Sequence, residues 1–263
     1  MSLLEGEIAL VTGATSGIGN AIARELAAQG ARVALGSRDA GRAHAAAEAV
    51  GPGHVGVELD VASRASVDAA LAEVVARLGE PTVLVNNAGV NRIGPAESLS
   101  EEDWEHVLDV NLMGVARCCQ AVGARMLARG DGVIVNVASV TGPFVGVPGR
   151  APYGASKAGI VGLTRVLGIE WAARGVRVVA VAPGPVRTPM VEQAIRDGIL
   201  VEDEIVDRMP VGRLAEPEDV ARVVALLASR GAALVTGSVV TVDGGYATYG
   251  AAHPVSRLLP AGR

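Results

Sequence analysis

The chain has 263 residues, half of them apolar, and a formal net charge of −5, enough apolar material for a large buried core. Its arginines are scattered, which excludes nucleic acid as a partner. No apolar run reaches span length and the start, Met1 to Glu7, lacks the basic flank of a signal peptide, so neither a membrane span nor export is expected and the cytoplasm is the expected location.

Short β-branched runs recur at Ile8 to Val11, Arg32 to Leu35, Val55 to Leu59, Val83 to Val85, Val133 to Val137, Val176 to Val181 and Val239 to Val242. Between them lie segments with apolar residues three or four apart, such as Ile18, Ala21, Ile22 and Leu26, or Val67, Leu71, Val74 and Leu78. This alternation predicts an α/β fold: a doubly wound Rossmann domain with a seven-stranded parallel sheet and helices on both faces. Ser63 and Ser100, the latter three residues before Asp103, are N-cap candidates, and Gly30 and Gly79 follow two helices. No linker divides the chain, so residues 1–263 are expected to form one domain, with a less regular insertion at 188–210 and a tail at 246–263.

The first strand is followed by Thr12-Gly13-Ala14-Thr15-Ser16-Gly17-Ile18-Gly19 and then a helix. Glycines there permit a tight turn and let backbone N–H groups approach a pyrophosphate at the helix N-terminus. The second strand ends in Ser37-Arg38-Asp39, where a carboxylate would select NAD through the ribose 2′-hydroxyl. Ser37 occupies that place and Arg38 follows, which suits the 2′-phosphate of NADP. NADP(H) is therefore the expected cofactor, with NAD(H) as the alternative and Arg38 as a solvated surface charge the bland reading.

Lys157 is the only lysine, against twenty-two arginines, and lies four residues after one of three tyrosines, Tyr153. A chain that otherwise uses Arg keeps Lys where a compact ammonium is needed. The two residues share a helix face, and the ammonium is expected to lower the pKa of the phenol and fit it for acid–base work. Ser139 ends the strand Val133 to Val137. The Gly13 turn, Asn86-Asn87-Ala88-Gly89 and Pro183-Gly184 also follow strands, at the sheet edge where α/β proteins bind ligands. Singly, each such serine or asparagine reads as a turn residue. Cys118 and Cys119 are adjacent and expected to be reduced, and His44, His54, His106 and His253 lack ligand spacing, so no metal is expected.

Taken together, Thr12-Gly13-x-x-x-Gly17-x-Gly19, Asp60-Val61, Asn86-Asn87-Ala88-Gly89, Asn111, Ser139, Tyr153-x-x-x-Lys157 and Pro183-Gly184-x-x-x-Thr188 resemble the short-chain dehydrogenase/reductase family from Ile8 to about Gly245. The resemblance implies catalysis by Asn111, Ser139, Tyr153 and Lys157. Tyr153 would protonate a carbonyl oxygen that Ser139 also binds, Lys157 would hold the nicotinamide ribose, and Asn111 would bend its helix and position a relay water. It implies cofactor contacts from Gly13, Thr15, Ser16, Gly17, Ile18, Gly19, Ser37, Arg38, Asp60, Val61, Asn87, Ala88, Gly89, Tyr153, Lys157, Pro183, Gly184, Val186 and Thr188. Ser16 departs from the basic residue often found there in NADP-preferring relatives.

The expected activity is NADPH-dependent reduction of a ketone to a secondary alcohol. The chain is similar to 3-oxoacyl-carrier-protein reductases, which implies a 3-oxoacyl thioester or related carbonyl compound, free or carrier-linked. Arg125, Arg129 and Arg174 are candidates for attracting an acidic carrier. A sugar or polyol dehydrogenase is the alternative, and a non-catalytic NADP sensor a remote one. The apolar segments Val140 to Arg150, with Phe144, and Met190 to Leu200, with Val191, Ile195 and Ile199, either wall the substrate space or pack the loops. A homotetramer is implied, and the tail either caps an active site or is disordered.

Overall fold

The computed structural model describes residues 2–198 and 200–250. Seven strands form one parallel sheet: β1 (Ile8–Thr12), β2 (Arg32–Ser37), β3 (Val55–Glu58), β4 (Val83–Asn86), β5 (Gly132–Val137), β6 (Val176–Pro183) and β7 (Val239–Val242), in the order β3-β2-β1-β4-β5-β6-β7. Each lies within two residues of a run predicted from β-branched content.

The helices are α1 (Gly17–Ala28), α2 (Ala40–Val50), α3 (Arg64–Arg77), α4 (Glu101–Leu108), α5 (Gly114–Arg129), α6 (Ala151–Ala172), α7 (Pro189–Arg196), α8 (Glu202–Val206) and α9 (Pro217–Ala228). Two apolar cores flank the sheet. One joins alternate strand residues such as Val11, Val85, Val135 and Val181 to α1 and α9. The other joins Leu10, Leu84, Ile134 and Ala180 to α3, α5 and α6. Period-two alternation along strands buried on both faces supplies both cores from the same runs.

The predicted boundaries hold. Ser63 accepts a hydrogen bond from Ser66 N–H and Ser100 from Asp103 N–H at 3.1 Å, while Gly30 and Gly79 adopt φ of +94° and +107°, a region costly for any residue with a Cβ. The 188–210 segment is more regular than expected, since α7 and α8 occupy most of it. Thr188 caps α7 by accepting from Val191 N–H, and Arg187 pairs with both Glu202 and Glu216, fastening α8 and the start of α9 to the end of β6. Among the described residues no helix is long and apolar enough to cross a membrane, and no cluster of side chains could hold a metal ion.

The strand order reverses between β1 and β4, so loops leaving these two strands diverge and open a crevice at the carboxyl edge of the sheet.

Candidate active site

The crevice is a cavity of about 720 Å³. Of the residues predicted for the site, all but Gly17 and Asn111 line it.

At one end the β1–α1 turn packs against the β4 turn. Thr12 Oγ1 accepts from the N–H groups of Asn87 and Ala88, both at 3.0 Å, and Asn87 Nδ2 donates to the carbonyls of Thr12 and Gly13 at 3.1 and 3.0 Å. A Cβ on Gly19 would lie 2.2 Å from Gly13 O and 2.3 Å from Asn87 Nδ2, so no other residue fits there. The Ser16 hydroxyl makes no capping bond to α1. The turn thus presents backbone N–H groups, a hydroxyl and the positive end of a helix dipole to one point, a cradle suited to a pyrophosphate. The Cβ position of Gly17 is 3.6 Å from Thr188 Cγ2, which brings the start of α7 against the glycine turn.

Beyond β2, Ser37 Oγ accepts from Asp39 N–H at 3.3 Å and Asp39 caps α2 by accepting from Arg42 N–H at 2.9 Å. Arg38 and Arg42 both line the cavity and, among the described residues, neither forms an ion pair. Arg42 was not anticipated. The available signal was its four-residue spacing from Arg38 across a helix start. Asp60 and Val61 follow β3, where Asp60 Oδ1 accepts from Ala62 N–H at 3.0 Å and Val61 packs against Gly114.

The other end holds the acid–base group. Tyr153 and Ser139 both line this end of the cavity, and the Ser139 hydroxyl acts on the phenol. Ser139 Oγ also accepts from Thr141 N–H at 3.1 Å, which fixes the hydroxyl at the end of β5. Lys157 is 4% exposed, with its Nζ 5.5 Å from the centre of the Tyr153 ring and donating to Val137 O at 2.7 Å. Helical spacing brings phenol and ammonium together as expected. Their titration differs from expectation. Burial pushes the Tyr153 phenol up, against the opposing pull of the Ser139 hydrogen bond and the Arg150 charge. Burial also brings Lys157 down to about 8. Withdrawal from water is the dominant cause for both groups because each is buried.

Asn111 lies in a π-turn, Asp109–Met113, between α4 and α5. Its Oδ1 accepts from Val90 N–H at 2.7 Å and its Nδ2 donates to Val90 O at 2.9 Å and Ser156 Oγ at 3.1 Å. The expected local distortion is therefore a π-turn, the usual form of such an irregularity at functional sites. The side-chain amide is spent tying the β4 loop to α6. A Cβ on Gly89 would sit 3.3 Å from Asn111 Oδ1 and 3.8 Å from Lys157 Nζ, so this glycine lets the loop close on both.

Pro183 and Gly184 close the far wall. A Cβ on Gly184 would lie 2.7 Å from Asp243 Cβ, and Val186 bridges to Ala215. Of the expected substrate walls, Val140, Thr141, Val147, Arg150, Val191 and Leu200 line the cavity; Ile195 does not. Phe144 does not either: it stands 45% exposed in a tight turn closed by its N–H on Val140 O at 3.1 Å. Ile199 lies outside the described residues, as do the side chain of Met190 and residues 251–263 of the tail. Ile205 and Tyr246 complete the wall and were missed, because nothing local marks them. The buried Asn91 Oδ1 has no hydrogen-bond partner among the described residues, and Asn91 also faces the cavity.

The three arginines considered for a carrier lie elsewhere. Arg125 makes a two-pronged ion pair with Glu80 at 2.7 and 2.6 Å, and Arg129 donates to the carbonyls of Pro81 and Asp131. With Arg174, they stand where β4, β5 and β6 begin, at the sheet edge opposite the cavity.

Comparison with known proteins accords with this geometry. The family model described as enoyl-(acyl carrier protein) reductase matches residues 13–247. D-Threitol dehydrogenase of Mycolicibacterium smegmatis is 45% identical over 246 residues, 92% of this chain and 94% of that protein. A 3-oxoacyl-[acyl-carrier-protein] reductase of Thermotoga maritima is 42% identical over 245 residues, covering 92% and 98%. A solved structure described as a short chain dehydrogenase/reductase family protein superposes with a TM-score of 0.83 at 40% identity, covering 93% of this chain and 99% of that one. The chain belongs to the short-chain dehydrogenase/reductase family, oxidoreductases that act on CH–OH groups with NAD(P)(H).

Proposed function

We propose that the protein is a cytoplasmic NADPH-dependent reductase that converts a ketone to a secondary alcohol, with Tyr153 as general acid. The observation that carries this reading is the placement of Tyr153 and Ser139 in the same cavity as the glycine cradle, with the Lys157 ammonium 5.5 Å from the centre of the Tyr153 ring. The glycine cradle would hold the pyrophosphate of a reduced nicotinamide dinucleotide, which would supply the hydride. Tyr153 holds its proton at neutral pH because burial raises its pKa, and it gives that proton to the carbonyl oxygen as charge develops there. Ser139 donates a second hydrogen bond to the same oxygen. Lys157 holds the ribose hydroxyls, and Asn111 is a positioning residue that keeps the Gly89 loop and α6 in register.

The preference for NADPH is supported by Arg38 and Arg42, two unpaired guanidinium groups where β2 ends, while the adjacent Asp39 carboxylate is occupied in capping α2. We expect kcat/KM for NADPH to exceed that for NADH by about tenfold or more; equal or better turnover with NADH overturns this part. The Thermotoga maritima relative supports a 3-oxoacyl thioester as substrate and the Mycolicibacterium smegmatis relative a polyol. Engagement of Arg125 and Arg129 within the chain weakens the case for a carrier protein.

Tyr153→Phe tests the acid. Turnover should fall on the order of a thousandfold while NADPH affinity, followed by fluorescence, stays within about threefold of the parent. Normal turnover in that variant removes Tyr153 from the mechanism.

A further inference from the structure

Six charged residues line the cavity: Arg38, Asp39, Arg42, Asp60, Lys157 and Arg150. The first four lie just after β2, at the start of α2 and just after β3, the adenosine end, and Lys157 is engaged with Val137 O. Arg150 stands apart from all of them. It is the N-cap residue of α6, three positions before Tyr153, and its carbonyl accepts from Gly154 N–H at 2.8 Å. The preceding carbonyl, of Gly149, accepts from Gly94 N–H at 3.0 Å, which fastens this turn to the loop that carries Asn91. Arg150 is half-buried, and among the described residues it forms no ion pair. Arg150 and Tyr153 line the same cavity, and the Arg150 charge acts on the phenol.

The same cavity has an apolar stretch of lining formed by Val147, Val191, Leu200 and Ile205. A guanidinium partly withdrawn from water in such a cavity lacks the partner that would offset its desolvation. Its planar fork matches a carboxylate in two parallel hydrogen bonds, and a low-polarity lining strengthens them.

We infer that Arg150 is a specificity-determining residue that binds a carboxylate carried by the ketone substrate, so that small oxo acids are preferred over neutral ketones and thioesters. This rests on the reading that the carbonyl is reduced at Tyr153. Asn91, on the loop fastened to Gly149, is the adjoining polar group and suits a hydroxyl on the same substrate.

The test is a panel of α-, β- and γ-oxo acids with their methyl esters, assayed with NADPH. For at least one chain length the acid should exceed its ester in kcat/KM by about tenfold or more. Arg150→Gln should erase that preference and Arg150→Lys restore part of it. An indirect effect of the lost charge on Tyr153 scales acid and ester together and cancels in the ratio. Calorimetric titration of the NADP-loaded protein with the same compounds gives a second readout, independent of turnover. Equal treatment of acids and esters in both turnover and binding, or an acid preference that survives Arg150→Gln, overturns the inference. Acid binding that depends on Arg150 without turnover of any compound leaves it standing and instead strikes the reductase reading.

Discussion

Tyr153 and Lys157 sit one helical turn apart, and their chemistry follows from how deeply that turn is buried. Burial holds the phenol protonated and brings the ammonium down to about 8. This favours proton donation, the direction needed for ketone reduction, and makes Lys157 costly to the fold. Its pKa is lower folded than unfolded, so below pH 8 the native state bears the cost of a buried charge. Between pH 8 and the unfolded value of 10.5 the native state has released its proton while the unfolded state keeps it. Stability attributable to this residue therefore rises with pH across that window. Lys157→Met removes the titration. At pH 7 the variant should be more stable than the parent by up to about 3 kcal/mol, less the lost bond to Val137 O, and inactive. Its advantage should shrink by about 2 kcal/mol on going to roughly pH 9.5, as urea denaturation at both pH values would show. An advantage that does not change with pH refutes the buried ammonium.

At the scale of elements, the π-turn at Asp109–Met113 shows how a helix irregularity positions a site that its Asn111 does not line. Three side-chain hydrogen bonds of Asn111 join the β4 loop to α6, and Ser156 passes the link on by donating to Tyr153 O at 2.7 Å. Asn111→Ala leaves the Val90 backbone groups without these partners. We expect a loss of about 2–3 kcal/mol in urea denaturation, with kcat falling more than NADPH affinity. Parent-like kcat in a destabilised protein would reduce Asn111 to a purely structural bolt. The position of Asn111 in the motif set was legible in the sequence. Its hydrogen-bond partners were not, because Val90 and Ser156 lie 21 and 45 residues away. Ile205 and Tyr246 escaped for the same reason: no periodicity or turn signal marks a residue whose only distinction is the wall it faces.

Across the whole molecule, apolar side chains remain on the outer surface of α6, where Val166 is 53% and Ile169 77% exposed, and Met113 stands 49% exposed at the π-turn. β7 forms one edge of the sheet. We propose that these surfaces join copies of the chain into a homotetramer, since a monomer seldom leaves such residues together in water. Light scattering should give four times the chain mass, and Ile169→Glu should lower the assembly state. A monomeric parent refutes the proposal.

The sequence by itself determined the sheet, its seven strands, both helical layers and most of the residues that line the cavity at the glycine turn. Those features depend on local periodicity, turn chemistry and motif spacing, which a linear string displays. Tertiary structure alone decided which charges are free. Arg125 and Glu80 are 45 residues apart and neutralise one another, whereas Arg150 meets no carboxylate among the described residues. It also decided the direction of the Tyr153 shift. Attraction between phenol and ammonium is visible in a four-residue spacing, but the desolvation that outweighs it depends on everything packed around them.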